Sequence, residues 1–581
     1  MCGLVGIFDP SQVYTKDHLD KAIDSIGYRG VDERGVEKIG PSWMAHVRLA
    51  VVDPENGHQP MTNADGSVHV IFNGEIYNHK SIRKDLEAKG YAFKSRCDTE
   101  VLIHLWREKR ELLLEDLVGM FVFFIWDSAT STGILARDRQ GIKPCYLSSV
   151  RGGGLAFASE IKALRCLPGI GDQIDYQALG LVHAFNYVPP PNTCFTGITH
   201  FAPGNYILFD QHGFSEPVSY WSWDLESGDE DPNFDEFDVL LGKAVTSQLD
   251  FDVDGCMFLS GGVDSSIIAS HLSRRWDRQP IRAYGLTCPV LAYDEFSLAT
   301  GVADQFGIDL RRVSYGPEDV VEGLRACVHH ADQPHGDFSF ILIRKLCEQA
   351  HKDGYIVAFN GDGPDEIMGG FSHNEAFFSH QMRSNFPLSH YFQAITYMDP
   401  SMRSYLLRGD VALGAGSAED LFDAFLAPYR DLEPVSQIAA YELTRLMPGN
   451  NLIKGDRMGA SLSIEGRSPF LDHRVSEFLS RLPVHAKLSE GIGKRFLKDY
   501  GLREFPTSHM YRKKSMPTLP IGDWIRGPLK VWAKEKLAKL NPDLYDTAAV
   551  LDCLSKHVAG EKNYTRELRT LLAVSEWSST L

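Results

Sequence analysis

The chain begins Met1-Cys2-Gly3-Leu4, a thiol at the second residue ahead of the short apolar run "GLVGIF". Removal of Met1, usual when the second residue is small, leaves Cys2 with a thiol and a free α-amine. Such an amine titrates near about 8, so part of it is neutral at physiological pH and can accept the thiol proton. The product is a thiolate, the nucleophilic form. A buried strand that happens to start with cysteine would explain the same letters without chemistry, so the reading needs support from elsewhere. A second constellation, "FLSGGVDSS" at 258–266, joins an apolar strand to a helix. Its glycines let backbone approach a ligand, and the N–H groups at the helix start favour an anion. It is neither a Walker loop nor GxGxxG, and it resembles the pyrophosphate loop of ATP pyrophosphatases. About a hundred residues on, "FNGDGPDEIMGGF" offers Asp362, Asp365 and Glu366, hard oxygen donors of the kind that share Mg²⁺ with phosphates. Together with Asp264 at another strand's carboxyl end, they suit a metal-nucleotide site, because ligands of open α/β sheets gather there.

The elements that must position these groups follow two patterns. Up to about residue 200 the chain reads as short strands with turn punctuation, among them "HVRLAVVD", "VHVIFNGEIYN", "GMFVFFIWD" and "GLAFASE", interrupted by the helix "TEVLIHLWREKREL". A Pro- and Gly-rich passage and the acidic stretch "DLESGDEDPNFDEF" then predict a solvated linker over 213–233 between domains at 1–212 and 234–581. Beyond it strands alternate with long helices, which predicts a parallel sheet, and from about 370 the pattern is mainly helical.

Bulk composition narrows the function. A length of 581 residues predicts two or more domains, and 43% hydrophobic with 23% charged residues is ordinary globular composition. A net charge of −18 disfavours nucleic acid as a partner. No apolar stretch reaches the roughly 18–20 residues of a membrane span, and no signal-like N-terminus is present, so a cytoplasmic protein is expected. The ten cysteines form no CxxC pair, which fits reduced thiols rather than disulfides or zinc.

Over essentially its whole length the chain resembles the glutamine-dependent asparagine synthetases of the bacterial B type. The resemblance rests on "MCGLVGIF", "YRGVDERG", "GHQPM", "NGEIYN", "RCDTEVL" and "ARDRQGIKPCY" in the first half. In the second half it rests on "FLSGGVDSS", "DQPHGDFS", "GDGPDE", "GRSPFLDHRV" and "GKRFLK". It implies an α/β protein: an N-terminal αββα Ntn-hydrolase (class II glutaminase) sandwich, then a parallel-sheet ATP pyrophosphatase domain with a helical C-terminal part. By resemblance Cys2 attacks the glutamine amide, Asn73 and the Gly74 N–H stabilise the oxyanion, Arg48 holds the substrate carboxylate, and Glu75 and Asp98 take its ammonium. ATP is expected against Leu259, Ser260, Gly261, Gly262, Val263, Asp264, Ser265, Ser266, Leu286, Gly361 and Asp362. Mg²⁺ is expected on Asp264 and Asp365, with Lys494 opposite the α-phosphate. The implied reaction forms an acyl-adenylate and pyrophosphate, ammonia from the first site then displaces AMP through an internal tunnel, and a homodimer is the family-level expectation.

Several positions depart from the family's common forms: Tyr28, Val31, Asp362, Pro364, Asn451 and Gly466. By resemblance aspartate is the leading acceptor, and these departures make a different carboxylic acid of specialised metabolism the alternative. A catalytically silent binding or regulatory protein is a third reading, disfavoured by the intact Cys2, Arg48, Asn73, Asp98, Asp264, Asp365 and Lys494.

Overall fold

In the computed structural model, residues 1–581 are described except 229–231, 279, 291–292, 382–387 and 513–518. The first half is built on two antiparallel sheets. One runs, in spatial order, Thr199–His200, Tyr146–Val150, Gly154–Ala158, Gly3–Phe8, Ser42–Arg48 and Glu33–Ile39. The other runs Gly213–Phe214, Asn205–Asp210, Thr132–Arg137, Gly119–Asp127, Val68–Ile76 and Met61–Thr62, with Val218–Ser219 also paired to Asn205–Asp210. Strands with apolar residues on both faces bury both. Leu4, Phe8, Phe124, Phe157 and Phe209 fill the space between the sheets. Val5 and Ile7 pack outward against helix Lys16–Asp24, and Phe121 and Phe123 face helix Thr99–Lys109. Helix, sheet, sheet, helix is the αββα arrangement expected.

The predicted linker proves partly structured. Its first residues form the short strands Gly213–Phe214 and Val218–Ser219, which extend the second sheet. Residues 229–231 of that stretch lie outside the described residues, and helix Phe234–Gln248 starts from Asn233, whose side chain caps two backbone N–H groups.

The second half carries a five-stranded, all-parallel sheet in the order Asp309–Ser314, Arg282–Thr287, Gly255–Phe258, Val357–Phe359, Glu465–Arg467. The last strand arrives about a hundred residues after its neighbour, paired Val357 to Glu465 and Phe359 to Arg467. Because side chains alternate across a strand, Glu465 and Arg467 share one face and Gly466 takes the other. This short strand is therefore two-sided, and both sides matter below.

The halves share a continuous core. One apolar cluster runs from Val5 and Ile7 through Ala331 and Phe338 to Leu568 and Trp577. Helix Tyr176–Phe185 crosses helix Gly409–Gly416 at a point where both are glycine: a Cβ at Gly414 would lie 1.9 Å from the Gln177 carbonyl oxygen, and one at Gly180 2.3 Å from that of Val411. No side chain fits between the two backbones. Gly414→Ala should therefore cost about 1–3 kcal/mol, the usual penalty of overpacking, read as a lowered thermal unfolding midpoint, whereas a change at the exposed Gly416 should leave it unmoved.

Candidate active sites and their junction

Strand Gly3–Phe8 lies between Ser42–Arg48 and Gly154–Ala158 and places Cys2 at its N-terminal end, against Asn73 of the other sheet. The Cys2 backbone N–H donates to Asn73 Oδ1 at 2.9 Å, and Cys2 Sγ lies 3.9 Å from the Leu49 carbonyl oxygen. Asn73 is fully buried, and its Nδ2 has no hydrogen-bond partner among the described residues. A buried donor left unpaired is costly, so the arrangement is suited to an acceptor oxygen that arrives with a ligand. Gly74 must be glycine, since a Cβ there would stand 2.0 Å from the Met120 carbonyl oxygen. Burial pushes the Cys2 thiol above its ordinary value, against the opposing pull of the Met1 ammonium. The resting group is a thiol that needs a base. In the full chain Met1 precedes it, so the Cys2 nitrogen is an amide.

Two expected glutamine ligands are engaged otherwise. Arg48 spends its fork on protein: Nη1 donates to Glu33 (3.0 Å) and the Pro54 carbonyl (2.9 Å), Nη2 to the carbonyls of Val52 (3.0 Å) and Asp53 (2.8 Å). These bonds tie Arg48 to the 52–54 loop, beside the position where a substrate carboxylate is expected. Glu75 points to the other half, where its Oε2 meets Arg467 Nη2 at 3.2 Å. Burial, reinforced by the Glu465 carboxylate, pushes it well above the usual range. Asp98 is buried, accepts from the Ile76 N–H at 2.8 Å, and is likewise raised by burial.

The nucleotide constellation gathers at the carboxyl ends of the parallel strands, around a cavity of about 570 Å³. Leu259, Ser260, Gly262, Val263, Asp264, Ser265, Leu286, Gly361, Asp362, Asp365, Glu366 and Lys494 all line it. The loop is tightened by Ser260 Oγ, which meets Ser265 Oγ at 3.0 Å and accepts from the Gly262 N–H at 3.2 Å. Gly261 takes φ +72°, where a Cβ would press on the Ala299 nitrogen at 2.5 Å, and a Cβ at Gly361 would lie 2.9 Å from the Ser265 nitrogen. The two loops therefore touch backbone to backbone. Ser266, expected in the cradle, is turned away: it is fully buried with Oγ 3.1 Å from His509 Nε2. Gly261 is likewise set back from the wall, which its neighbours form.

Lys494 Nζ lies 2.6 Å from Asp264 Oδ2 and 2.8 Å from Asp365 Oδ1. Burial opposes its charge, but the two carboxylates outweigh that and hold the ammonium above the usual lysine range. Two carboxylates converging on one cation, beside an anion-binding loop, is a donor set that fits Mg²⁺ held jointly with phosphates. Of the other two candidate ligands, Asp362 lines the cavity and is raised by desolvation, and Glu366 is engaged with Asn451. Burial, then Asp365, push Glu366 up to about 8, and Asn451 Nδ2 donates to its Oε1.

The residues that sequence reading missed sit at the junction. Arg29 is fully buried; its Nε donates to the Cys2 carbonyl (2.9 Å), Nη1 reaches Glu160 (2.8 Å) and Asp456 (2.8 Å), and Nη2 reaches Asp456 (3.1 Å). The Met1 ammonium pairs with Glu465 at 3.2 Å, both side chains 1% exposed. Glu465 falls to about 2, burial being outweighed by that ammonium and Arg467. Arg29 stands inside "YRGVDERG" and Glu465 directly before "GRSPFLDHRV", but charge there carries no sign of burial.

Residues 1–221 match the glutamine amidotransferase domain family, and residues 236–579 match asparagine synthase. The chain belongs to the asparagine synthase family. Among its relatives, asparagine synthetase [glutamine-hydrolyzing] 1 of Bacillus subtilis is 28% identical over all of this chain and 96% of its own length. Asparagine synthetase [glutamine-hydrolyzing] 3 of the same organism is 30% identical over 89% of this chain and 86% of its own. Amidase chyE of Penicillium rubens is 26% identical over 97% and 93%.

Most departures from the common asparagine synthase forms have local causes. Tyr28 OH donates to Glu160 Oε2 at 2.5 Å and accepts from Lys162 at 2.9 Å, within the junction cluster. Val31 is 65% exposed. Pro364 opens helix Pro364–Ile367 at a position whose N–H would be unpaired anyway. Asn451 donates to Glu366 and partly offsets the rise that burial and Asp365 impose on it. Gly466 faces the cavity, and a Cβ there would meet only Asn360 Nδ2, at 3.7 Å.

Glu366 gives a pH prediction. Its ordinary value of 4.5 rises to about 8 on folding, so between those values the native state binds more protons and stability falls as pH rises. Glu366→Gln should flatten that slope, measured as denaturation midpoints from pH 5 to 8.5; an unchanged slope counts against the assignment.

Proposed function

We propose that the protein is a glutamine-hydrolysing, ATP-dependent ligase that makes an amide from a carboxylic acid, with L-aspartate as the leading acceptor and L-asparagine, L-glutamate, AMP and diphosphate as products. The observation that carries the reading is the pairing of two sites in one rigid frame: Cys2 hydrogen-bonded to a buried, half-satisfied Asn73, and a lysine-bridged carboxylate pair beside a glycine-rich loop.

In the first site, with Met1 removed, the Cys2 α-amine takes the thiol proton and sulfur attacks the glutamine amide carbon. Asn73 Nδ2 and the Gly74 N–H meet the developing oxyanion, the kind of preorganised donors that lower such a barrier most. The C–N bond breaks, the amine proton goes to the leaving nitrogen as ammonia, and water releases glutamate from the thioester. Asp98 receives the substrate ammonium. In the second site the Ser260–Ser265 loop holds the triphosphate, Leu259 and Leu286 flank the base, and Asp264 and Asp365 would carry Mg²⁺, which neutralises phosphate charge. An acceptor carboxylate oxygen attacks the α-phosphorus and pyrophosphate leaves. Lys494 balances charge on the α-phosphate, and ammonia then displaces AMP from the acyl carbon.

A different carboxylic acid as acceptor is favoured by one feature, the exchange of charge for amide at Asn451 beside Glu366, and by the kinship with an amidase. Among the described residues no helix is long and apolar enough to cross a membrane.

The test is mass spectrometry of purified protein with ATP, Mg²⁺, glutamine and aspartate. Equimolar asparagine, AMP and diphosphate support the reading; glutamate without asparagine moves the acceptor to another acid; no glutamate refutes it. Cys2→Ala should abolish glutamine use and keep ammonia-dependent synthesis. Asp264→Ala should cut AMP formation by at least about 10²-fold, the scale of a lost transition-state contact, with glutaminase activity retained; unchanged ATP turnover would remove its assigned role.

A further inference from the structure

Cys2 is held at both ends of its backbone. Its N–H is fixed by Asn73 Oδ1 at 2.9 Å, and its carbonyl by Arg29 Nε at 2.9 Å. Strand pairing begins only at Gly3, so these two bonds set the plane in which the thiol and the future α-amine stand. Arg29 is 0% exposed and cannot hold its place without anionic partners. Of these, Glu160 is shared with Tyr28, Lys162 and Arg457. Asp456 gives Arg29 two bonds, one to each terminal nitrogen, a fork geometry that fixes the guanidinium's orientation.

Asp456 belongs to the other half. It lies on helix Leu452–Ala460, whose Lys454 and Gly455 line the nucleotide cavity and whose Lys454 Nζ donates to Ser339 Oγ at 3.1 Å. One short helix therefore faces the cavity on one side and grips Arg29 on the other.

We propose that Asp456 is a positioning residue for glutamine hydrolysis, acting across the junction through Arg29 on the Cys2 backbone. The inference rests on the glutaminase reading given above. The glutaminase site is then incomplete without the synthetase half, and a residue 427 positions away in sequence from Arg29 sets the aim of its nucleophile.

The experiment compares wild type, Asp456→Asn, Arg29→Lys and the double variant in the full chain, by glutamine hydrolysis and by ammonia-supported AMP formation. Asp456→Asn is close to isosteric; Arg29→Lys keeps the charge but loses the fork. Each should lower kcat for hydrolysis about tenfold, with the glutamine KM within about threefold, the pattern of a lost transition-state alignment. Ammonia-supported AMP formation should stay within about twofold, and the double variant should fall little further than either single one, as coupled residues do. Equal loss of both activities, an unchanged kcat in Asp456→Asn, or multiplying losses in the double variant would overturn the proposal. If the wild type hydrolyses no glutamine while the ammonia-supported reaction runs, the glutaminase reading itself fails and this inference with it.

Discussion

A guanidinium with no access to water must find its charge balance and its hydrogen bonds inside the protein, and here three arginines do so with carboxylates from across the junction. Arg29 of the first half takes Asp456 of the second; Arg457 and Arg467 of the second take Glu160 and Glu75 of the first, with Glu465 beside Arg467. These exchanges run in both senses and lock the halves in one register. Burying such pairs gains little net stability over an apolar contact of the same shape, but removing one partner strands a charge. The junction therefore contributes specificity of placement more than strength, while the apolar cluster that continues across it supplies cohesion.

That register explains how unlike sites can be adjacent. The parallel sheet ends in Glu465–Arg467, whose outer pair faces Met1 and Glu75 while Gly466 faces the nucleotide cavity. Helix Leu452–Ala460 repeats the arrangement with Asp456 and Lys454. The partition between sites is thus one strand and one helix thick, each carrying chemistry on both faces. Removal of Met1 changes this wall directly, because the ammonium paired with Glu465 leaves with it.

The cavity itself is electrostatically poised. Lys494 bridges Asp264 and Asp365, so one buried ammonium gathers both carboxylates at the cavity wall. Glu366, close by but enclosed and raised to about 8, is held as a neutral acid that accepts a hydrogen bond from the Asn451 amide. An acidic side chain at 451 would push it higher still, as like charges do, whereas the amide there pulls it back toward the ordinary range.

The sequence by itself determined whatever depends on local pattern or on short strings. Strand alternation and helix spacing marked "GLVGIF", "TEVLIHLWREKREL" and the strand before "LSGGVDSS"; the glycines of that loop marked a close backbone approach at Gly261 and Gly262; the motifs named the family. Tertiary structure alone decided what depends on burial and on contacts between distant segments. Nothing in the letters of Arg48 shows that its fork holds the 52–54 loop, and nothing in Glu75 shows its pairing with Arg467, nearly four hundred residues on. Arg29, Asp456 and Glu465 are ordinary charged residues in the sequence, and their importance comes from being dry. Charge is written in the sequence, but the cost of that charge is set by the dielectric around it, which exists only once the chain has folded.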